Sequence, residues 1–453
     1  MRTMELLLLL LLTAALMLCT AAGQSFLLAL VFGLLLFLAY GLRKGHRLPA
    51  LLRAAWSGAG EVRGVLVSLL LIGLLSAAWR AGGTIAYLVS LADRLCTPQT
   101  TLALCFLLCC LVSFLTGSAF ASSATMGVVS MALAQRMGLP AWLAAGAVLG
   151  GVYFGDRCSP ISGSALLVAE VTRSSIHGNI KSMLRRGWVP FLLSLGLYAV
   201  LGCVLGQGGG DGGSMWTGFV LHPLALVPGG LILLCTLLRV NSRWTLLSGI
   251  ASALVLAVVQ QGCTLAQLPG LLLWGSQRGG GLFQGGGVAS MVPALLSVAL
   301  SAAYTGIFRL TGFLEPLRRA CAKLRGGTAF RYSCVSLLTG MTACNQTLTI
   351  LLTKQLLDGE EQGAAQALRL EDSAVLLPAV IPWSTAFTVP AAAMGVGAAC
   401  LPGAFFLYLV PVWDVVREHL PVRGTRRAGG PSRRARNTGA KTLLTPGPNC
   451  AKL

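Results

Sequence analysis

The segment GGVYFGDRCSPISGS, residues 150–164, combines charged residues, glycines and a proline within a long apolar region of the chain. It places Asp156 next to Arg157 inside a long apolar region, after four glycines within ten residues and before a proline flanked by serines. A continuous lipid-facing helix does not accommodate these features, because backbone polar groups in hydrocarbon need internal partners and a buried charge is costly. The stretch therefore predicts a broken helix that builds a polar site. The alternative is a cytoplasmic loop in which Asp156 and Arg157 form an interfacial pair.

The composition of the whole chain is that of an all-α polytopic membrane protein. Of its 453 residues, 55% are hydrophobic and 11% are charged, and its 56 glycines suit close helix packing in lipid. Several apolar runs reach the roughly 20 residues that cross a bilayer, and we expect roughly ten to twelve transmembrane segments, some of them broken or re-entrant. Beyond the N-terminal region, they are expected near residues 64–79, 99–115, 127–154, 188–206, 218–238, 244–261, 286–310, 332–351, 373–398 and 400–416.

The net charge of +20 does not indicate nucleic-acid binding, because the basic residues cluster in short connections and in the tail. This distribution follows the positive-inside rule and predicts that residues 41–63, 173–186 and 318–331 are cytoplasmic. The tail, Pro421 to Leu453, has eight Lys/Arg and no acidic residue, so we expect it to be disordered and cytoplasmic. The Gly-rich connections Gln207–Gly213 and Gln277–Gly287 are then expected on the opposite side.

The 14 cysteines are scattered, and no CxxC pair with metal-ligand spacing occurs. We therefore expect no zinc site or disulfide framework. The N-terminal apolar run at 5–22 can be read as a signal peptide or as the first helix of a hairpin with Phe26–Tyr40. We favour the hairpin because the segment that follows it is strongly basic.

A weak internal repeat runs through the chain. Ser76-Ala77-Ala78 recurs at 301–303, Leu115-Thr116-Gly117 recurs at 338–340, and we interpret Asp372 as the counterpart of Asp156. The first copy follows a basic segment and the second precedes one, which predicts two repeats of inverted topology. The domains expected are an N-terminal hairpin and loop (1–60), a first transport repeat (61–206), a second repeat (218–417) and the tail (418–453).

Three further polar stretches interrupt apolar sequence. Residues 116–125 are rich in Gly, Ser and Thr and can supply oxygen ligands to a Na⁺-like cation, or can simply form a close helix contact. Asn345-Gln346 places two amides within an apolar segment. Glu371-Asp372-Ser373 precedes a segment punctuated by prolines, which indicates either a second broken helix or an ordinary polar helix start.

These motifs resemble those of NhaC-type Na⁺/H⁺ antiporters in the ion transporter superfamily. Residues 155–162 (GDRCSPIS) are similar to the family's FGDKxSPxS signature, and residues 371–373 and 381–385 (EDS and IPWST) to its EDS and IPWNT. Asn345-Gln346 resembles its NQ pair, and residues 285–291 its GGxxSM segment. Two departures stand out: residues 163–165 replace the family's Asp-Thr-Thr, and its TGTSxGT segment is degraded at 116–122.

The resemblance implies a membrane antiporter, and not an enzyme, that exchanges Na⁺ or a cation-coupled solute for protons without a cofactor or resident metal. We expect Asp156 and Asp372 to alternate between proton and cation. The complete expected ion- and proton-binding set is Asp156, Ser159, Ser162, Ser118, Ser122, Asn345, Asp372 and Glu371. The chain is expected in the plasma (inner) membrane, with the lipid bilayer as its surroundings and a homodimer left open.

Three other functions are alternatives to cation/proton exchange: an organic-solute carrier, an intramembrane protease and a channel. A carrier of small organic anions or amino acids, such as a malate/lactate exchanger, is the alternative within transport. An intramembrane aspartyl protease is disfavoured because position 153 of the Gly-x-Gly-Asp-like stretch is Tyr and no Tyr-Asp dipeptide occurs in the chain. A channel would be distinguished from a carrier by a flux that does not saturate.

Overall fold

The computed structural model describes residues 2–21, 26–206, 219–238, 240–277, 285–313, 326–357 and 359–419. Over these residues the regular secondary structure is helical, apart from an isolated antiparallel bridge between Ser276 and Gly285. The expected all-α membrane fold is therefore confirmed. The α-helices are α1 (Arg2–Ala21), α2 (Phe26–Arg43), α3 (Leu48–Glu61), α4 (Arg63–Ala81), α5 (Thr84–Leu95), α6 (Pro98–Thr116), α7 (Ala119–Ser122), α8 (Val128–Arg136), α9 (Ala141–Cys158), α10 (Gly163–Thr172), α11 (Ile176–Leu205), α12 (Val227–Leu237), α13 (Ser242–Val259), α14 (Leu268–Trp274), α15 (Gly287–Thr311), α16 (Thr328–Ala343), α17 (Gln346–Leu356), α18 (Gly363–Asp372), α19 (Thr385–Met394) and α20 (Phe405–His419).

Among the described residues, four helices are long and apolar enough to cross a bilayer: α4, α6, α11 and α15. Residues 363–380 and α19 make a fifth candidate, a pair of helices bent by 55° at a short break. Shorter apolar helices, such as Arg243–Val259, lie between these spans. The expected total of roughly ten to twelve transmembrane segments remains a prediction. Many of the expected segments are interrupted, so they do not form single helices long enough to count as spans.

Two segments predicted as single spans are divided. The segment at 127–154 is interrupted by a turn between α8 and α9. The segment at 332–351 is interrupted at Cys344, which adopts a left-handed conformation with φ of 52°, and at Asn345, which caps α17. In the first half of the chain Gly117 (φ 63°) and Ser118 separate α6 from α7 in the same way. A left-handed residue followed by a polar cap thus ends α6 and α16 alike.

The two broken helices have corresponding ends when the 3₁₀ turn at Leu377–Val380 is counted together with α18. Residue 141 corresponds to 363, 158 to 380, 163 to 385 and 172 to 394, a constant offset of 222 residues. Our interpretation of Asp372 as the counterpart of Asp156 is therefore wrong, since Pro378 takes that position. The motif matches used offsets of 216 to 225, and a shift of six residues moves a carboxylate almost two turns along a helix.

The basic segment at 41–63 is largely helical, which corrects its prediction as a loop. α3 begins with a proline in its first turn and is rich in Ala and Leu, both strong helix formers. A methyl group added at Gly58 would lie 2.3 Å from the Ala302 carbonyl oxygen, and one at Gly306 would lie 1.9 Å from that of Ala54. Small residues on both helices therefore let α3 pack closely along the second half of α15.

The two N-terminal helices form an antiparallel pair on the surface of the fold. The Tyr40 hydroxyl donates to Glu5 at 2.9 Å, and the Lys44 ammonium lies 3.6 Å from the same carboxylate. These contacts bring the start of α1 to the end of α2. Buried side chains of α1, including Leu12, join an apolar cluster with Tyr304 of α15.

Contacts among helix ends bring two of the basic segments to one end of the fold. The Trp413 indole donates to the Arg186 carbonyl at 3.1 Å, and the Glu418 carboxylate accepts from the backbone N–H groups of Thr328 and Ala329 at 2.9 and 2.8 Å. Burial alone would raise the pKa of Glu418, but these backbone hydrogen bonds outweigh it and hold that pKa below its ordinary value. Residues 318–325, Gln207–Gly213, most of Gln277–Gly287 and the tail beyond 419 lie outside the described residues.

Candidate ion-binding site

Asp156 lies in the last turn of α9, next to the first break. Its position is fixed by a close crossing of α9 and α6: a methyl group added at Gly155 would lie 2.1 Å from the Ser113 backbone. One turn earlier, the Tyr153 hydroxyl donates to the Ala386 carbonyl at the start of α19, at 2.5 Å. α9 is thereby held against both its own repeat and the second one.

The Asp156 carboxylate receives hydrogen bonds from both halves of the chain. Ser162, which precedes α10, donates to Oδ1 at 3.0 Å, and Gln346, the first residue of α17, donates to Oδ2 at 2.9 Å. The Ser164 hydroxyl donates to the Asp156 backbone carbonyl at 2.9 Å and is paired with Ser162 at the same distance. Asp156 is 7% exposed, and within the described part of the chain no basic side chain forms an ion pair with it. It is a buried carboxylate held by neutral donors.

Gln346 is a site residue that the sequence analysis missed. Its side-chain amide also donates to the Val375 carbonyl at 2.9 Å, so it bridges Asp156 to the turn after α18. Asn345, which we expected at the site, instead uses its side-chain oxygen to cap α17 by accepting from Thr347 N–H at 2.9 Å. The Asn-Gln pair signalled the location, but its spacing alone could not show which amide faces the carboxylate.

Arg157 faces away from Asp156 and forms an ion pair with Asp372 across the repeats. The two side chains are 1% and 5% exposed, so the pair is buried. A methyl group added at Gly187 of α11 would lie 3.0 Å from an Arg157 nitrogen, which shows how closely that helix passes. The Asp372 carboxylate, expected to bind the cation, is therefore already engaged by a guanidinium that stays charged at any physiological pH.

Glu371 is fully buried, and neither of its carboxylate oxygens has a hydrogen-bond partner among the described residues. It lies close enough to Arg157, Asp156 and Asp372 to interact with them electrostatically. The cluster thus contains three carboxyl groups and one guanidinium. Because Asp372 pairs with Arg157, Asp156 and Glu371 are the carboxyl groups of this cluster that have no basic partner of their own among the residues that the structure describes.

The serines expected as ligands lie around the break but do not all face Asp156. Ser118 caps α7 by accepting from Ala121 N–H at 3.3 Å, and the Ser122 hydroxyl pairs with that of Thr116 at 2.8 Å. The Ser159 hydroxyl accepts from Ile161 N–H at 3.4 Å. Of the expected serines, only Ser162 contacts the Asp156 carboxylate directly.

The turn after α6 lies directly against the break after α9. A methyl group added at Gly117 would lie 2.7 Å from Ile161 and 2.8 Å from the backbone nitrogen of Ser162. Side chains from this region form one wall of a cavity of about 500 Å³ that also reaches the start of α11. The residues lining the cavity are Thr116, Ser118, Ala121, Pro160, Ile161, Leu166, Ile176, His177, Ile232, Val240, Thr245 and Leu246. Among these residues His177 is exposed, and Pro160 and Ile161 belong to the break that follows Asp156.

Comparisons with known proteins identify the family of the chain. Residues 2–206 and 151–415 match the model of the Na⁺/H⁺ antiporter family. The malate-2H⁺/Na⁺-lactate antiporter of Bacillus subtilis is 23% identical over 394 residues, covering 82% of this chain and 83% of that protein. The arginine/ornithine antiporter ArcD of Halobacterium salinarum is 26% identical, covering 78% of each chain. The Na⁺/H⁺ antiporter NhaC of Alkalihalophilus pseudofirmus is 26% identical, covering 78% of this chain and 81% of its own.

The family match covers almost all of the chain that precedes the basic tail. It includes both broken helices and the cluster of Asp156, Arg157, Glu371 and Asp372. The resemblance drawn from the motifs is thus confirmed. The chain is a multi-pass membrane transporter and belongs to the Na⁺/H⁺ antiporter family.

Proposed function

We propose that this protein exchanges a monovalent cation, namely Na⁺, for protons at a site formed by Asp156 and Glu371. The observation that carries the proposal is the imbalance of buried charge, since within the described part of the chain these two carboxyl groups have no basic partner of their own. Leaving such groups ionised and uncompensated in a dehydrated interior costs several kcal/mol. A bound cation or bound protons would remove that cost.

Competition between the two kinds of ligand accounts for exchange. Carboxylate and hydroxyl oxygens suit a hard cation, and Asp156 has Ser162 within hydrogen-bond distance. A proton bound to the same carboxyl group would exclude the cation. Because the charged and empty site is disfavoured, the conformation that exposes the other side is expected to form mainly when the site is loaded.

Because Asp372 forms an ion pair with Arg157, we assign it a different role from the cation binding that the sequence predicted. We propose that Asp372 neutralises Arg157 and holds α18 against α9, rather than binding the transported ion. The guanidinium does not release its proton at physiological pH, so this pair would keep its charges through the cycle. We further propose that the cluster binds and releases ions without catalysing a reaction, and that the protein resides in the plasma membrane.

A second candidate is the exchange of a cation-coupled organic solute, and the 500 Å³ cavity favours it. That volume exceeds the needs of a bare cation and falls within the size of small-molecule sites. Its polar lining consists of Thr116, Ser118, His177 and Thr245. The malate/lactate and arginine/ornithine relatives show that antiporters similar to this chain are named for organic substrates.

Reconstitution into proteoliposomes containing a pH-sensitive dye tests both candidates. Na⁺, Li⁺, K⁺, lactate, malate and amino acids are added outside in turn, with choline chloride as the control and the membrane potential clamped. External Na⁺ is expected to make the lumen alkaline with a saturating rate. A response only when an organic solute is supplied would select the second candidate, and no response to any addition would contradict both.

A further inference from the structure

The second break, at residues 381–384 before α19, resembles the first break, at residues 159–162 between α9 and α10, in sequence. Its residues are more buried than those of the first break. At the 222-residue offset, Pro160-Ile161-Ser162 corresponds to Pro382-Trp383-Ser384, and Ser384 caps α19 by accepting from Ala386 N–H at 3.3 Å. Pro160 is exposed and Ile161 is half-buried, and both line the 500 Å³ cavity. Trp383, the counterpart of Ile161, is only 3% exposed.

Trp383 is held in its buried position by polar as well as apolar contacts. Its indole N–H donates to the Met341 carbonyl near the end of α16 at 3.1 Å. The ring belongs to an apolar cluster that includes Tyr304 and Cys344. Two residues along the chain, Thr385 N–H donates to the Cys344 carbonyl at 2.9 Å, which joins the second break to the turn between α16 and α17. The second break is therefore closed where the first is open.

We infer that Trp383 is the plug of a second access route to the Asp156 site, closed in this conformation while the cavity at Pro160 and Ile161 is open. The inference rests on the proposed function. Transporters built from two repeats expose their site alternately as one repeat moves against the other. If the repeats exchange conformations, the second break opens as the first closes, and the indole must leave the Met341 carbonyl.

The wild-type protein supplies the first test, by hydroxyl-radical footprinting in proteoliposomes. Trp383 should be protected without Na⁺ and should be oxidised several-fold faster during Na⁺/H⁺ exchange. Trp413 is the internal control, because its indole also donates to a backbone carbonyl at 3.1 Å but lies outside the breaks; it is half-buried, so the comparison is of the change in its oxidation rate on adding Na⁺. Protection of Trp383 that is unchanged during active exchange would overturn the inference.

A Trp383→Ala variant supplies the second test, with ²²Na⁺ as the probe. Removal of the plug should leave both routes open together and add a Na⁺ flux that rises linearly with concentration and carries no protons in return. Trp413→Ala should add no such flux. A Trp383→Ala protein whose Na⁺ flux stays saturable and coupled to protons would also overturn the inference. Wild-type protein without any exchange would instead refute the proposed function, so the two failures are distinguishable.

Discussion

Substitution of Asp372 by Asn should destabilise the protein strongly, because it leaves Arg157 charged in the interior. Arg157 is 1% exposed, and its Nε already has no hydrogen-bond partner among the described residues. Removing one partner of a buried ion pair costs about 3–5 kcal/mol. We expect the lower end, about 3 kcal/mol, because Glu371 is within electrostatic reach and can attract the guanidinium in part.

Replacement of both partners of this buried ion pair should be tolerated. The double variant Arg157→Met, Asp372→Leu removes both charges, and replacing a buried pair by apolar residues of similar size is often neutral or stabilising. Glu360→Gln serves as the control, because its ion pair with Arg331 is partly exposed, and such pairs contribute about 1 kcal/mol or less.

Reversible unfolding in mixed detergent micelles, followed by circular dichroism, measures these differences. The Asp372→Asn variant should shift the folding equilibrium by about a hundredfold, and the double variant should recover most of that loss. An Asp372→Asn protein as stable as Glu360→Gln, or a double variant as unstable as the single one, would show that Arg157 does not depend on Asp372 for its stability in the interior.

Three further predictions concern the scaffold. Gly155→Ala should abolish exchange by forcing α9 away from α6, whereas Gly196→Ala, where an added methyl group meets nothing within 4 Å, should leave transport rates near wild type. Glu418→Gln should cost about 1 kcal/mol of unfolding free energy at neutral pH by weakening the cap of α16. Because the pKa of Glu418 is lowered in the folded state, that difference should shrink as pH falls below the ordinary glutamate value of about 4.3, as chemical denaturation at several pH values would show. Cysteines introduced at Ser57 and Thr328 should both be labelled only from the cytoplasmic side, and labelling of either from outside would contradict the inverted repeats.

The sequence was sufficient to locate the polar breaks, because their residues conflict with a continuous helix in lipid. Asp156, the serine that contacts it and Gln346, the one amide of the Asn-Gln pair that contacts it, all lie in stretches singled out for that reason. A constant spacing of the Pro-x-Ser motifs at 160–162 and 382–384 could also have given the repeat offset from sequence alone. The weaker Ser-Ala-Ala and Thr-Gly matches obscured it, since such runs are frequent in a chain of this composition.

The pairing of charged groups could not be predicted from the sequence. Arg157 follows Asp156 directly, and only the helical geometry of α9 shows that it reaches Asp372, 215 residues away, instead. Gln346 contacts Asp156 only because α17 starts beside the end of α9, which depends on how the repeats pack. The helical character of 48–61 was missed because its basic residues suggested a loop, whereas close contacts with α15 stabilise a helix there.

We propose that protons and the cation compete for Asp156, and exchange by the Asp156→Asn protein measures whether they do. The substitution keeps the size of the side chain and removes its titratable charge. In proteoliposomes, it should abolish pH-dependent Na⁺/H⁺ exchange while membrane insertion and folding remain near normal. Glu170→Gln, an exposed acidic residue at the end of α10, should exchange as the wild type does. Exchange by Asp156→Asn at close to the wild-type rate, with the same pH dependence, would contradict the account.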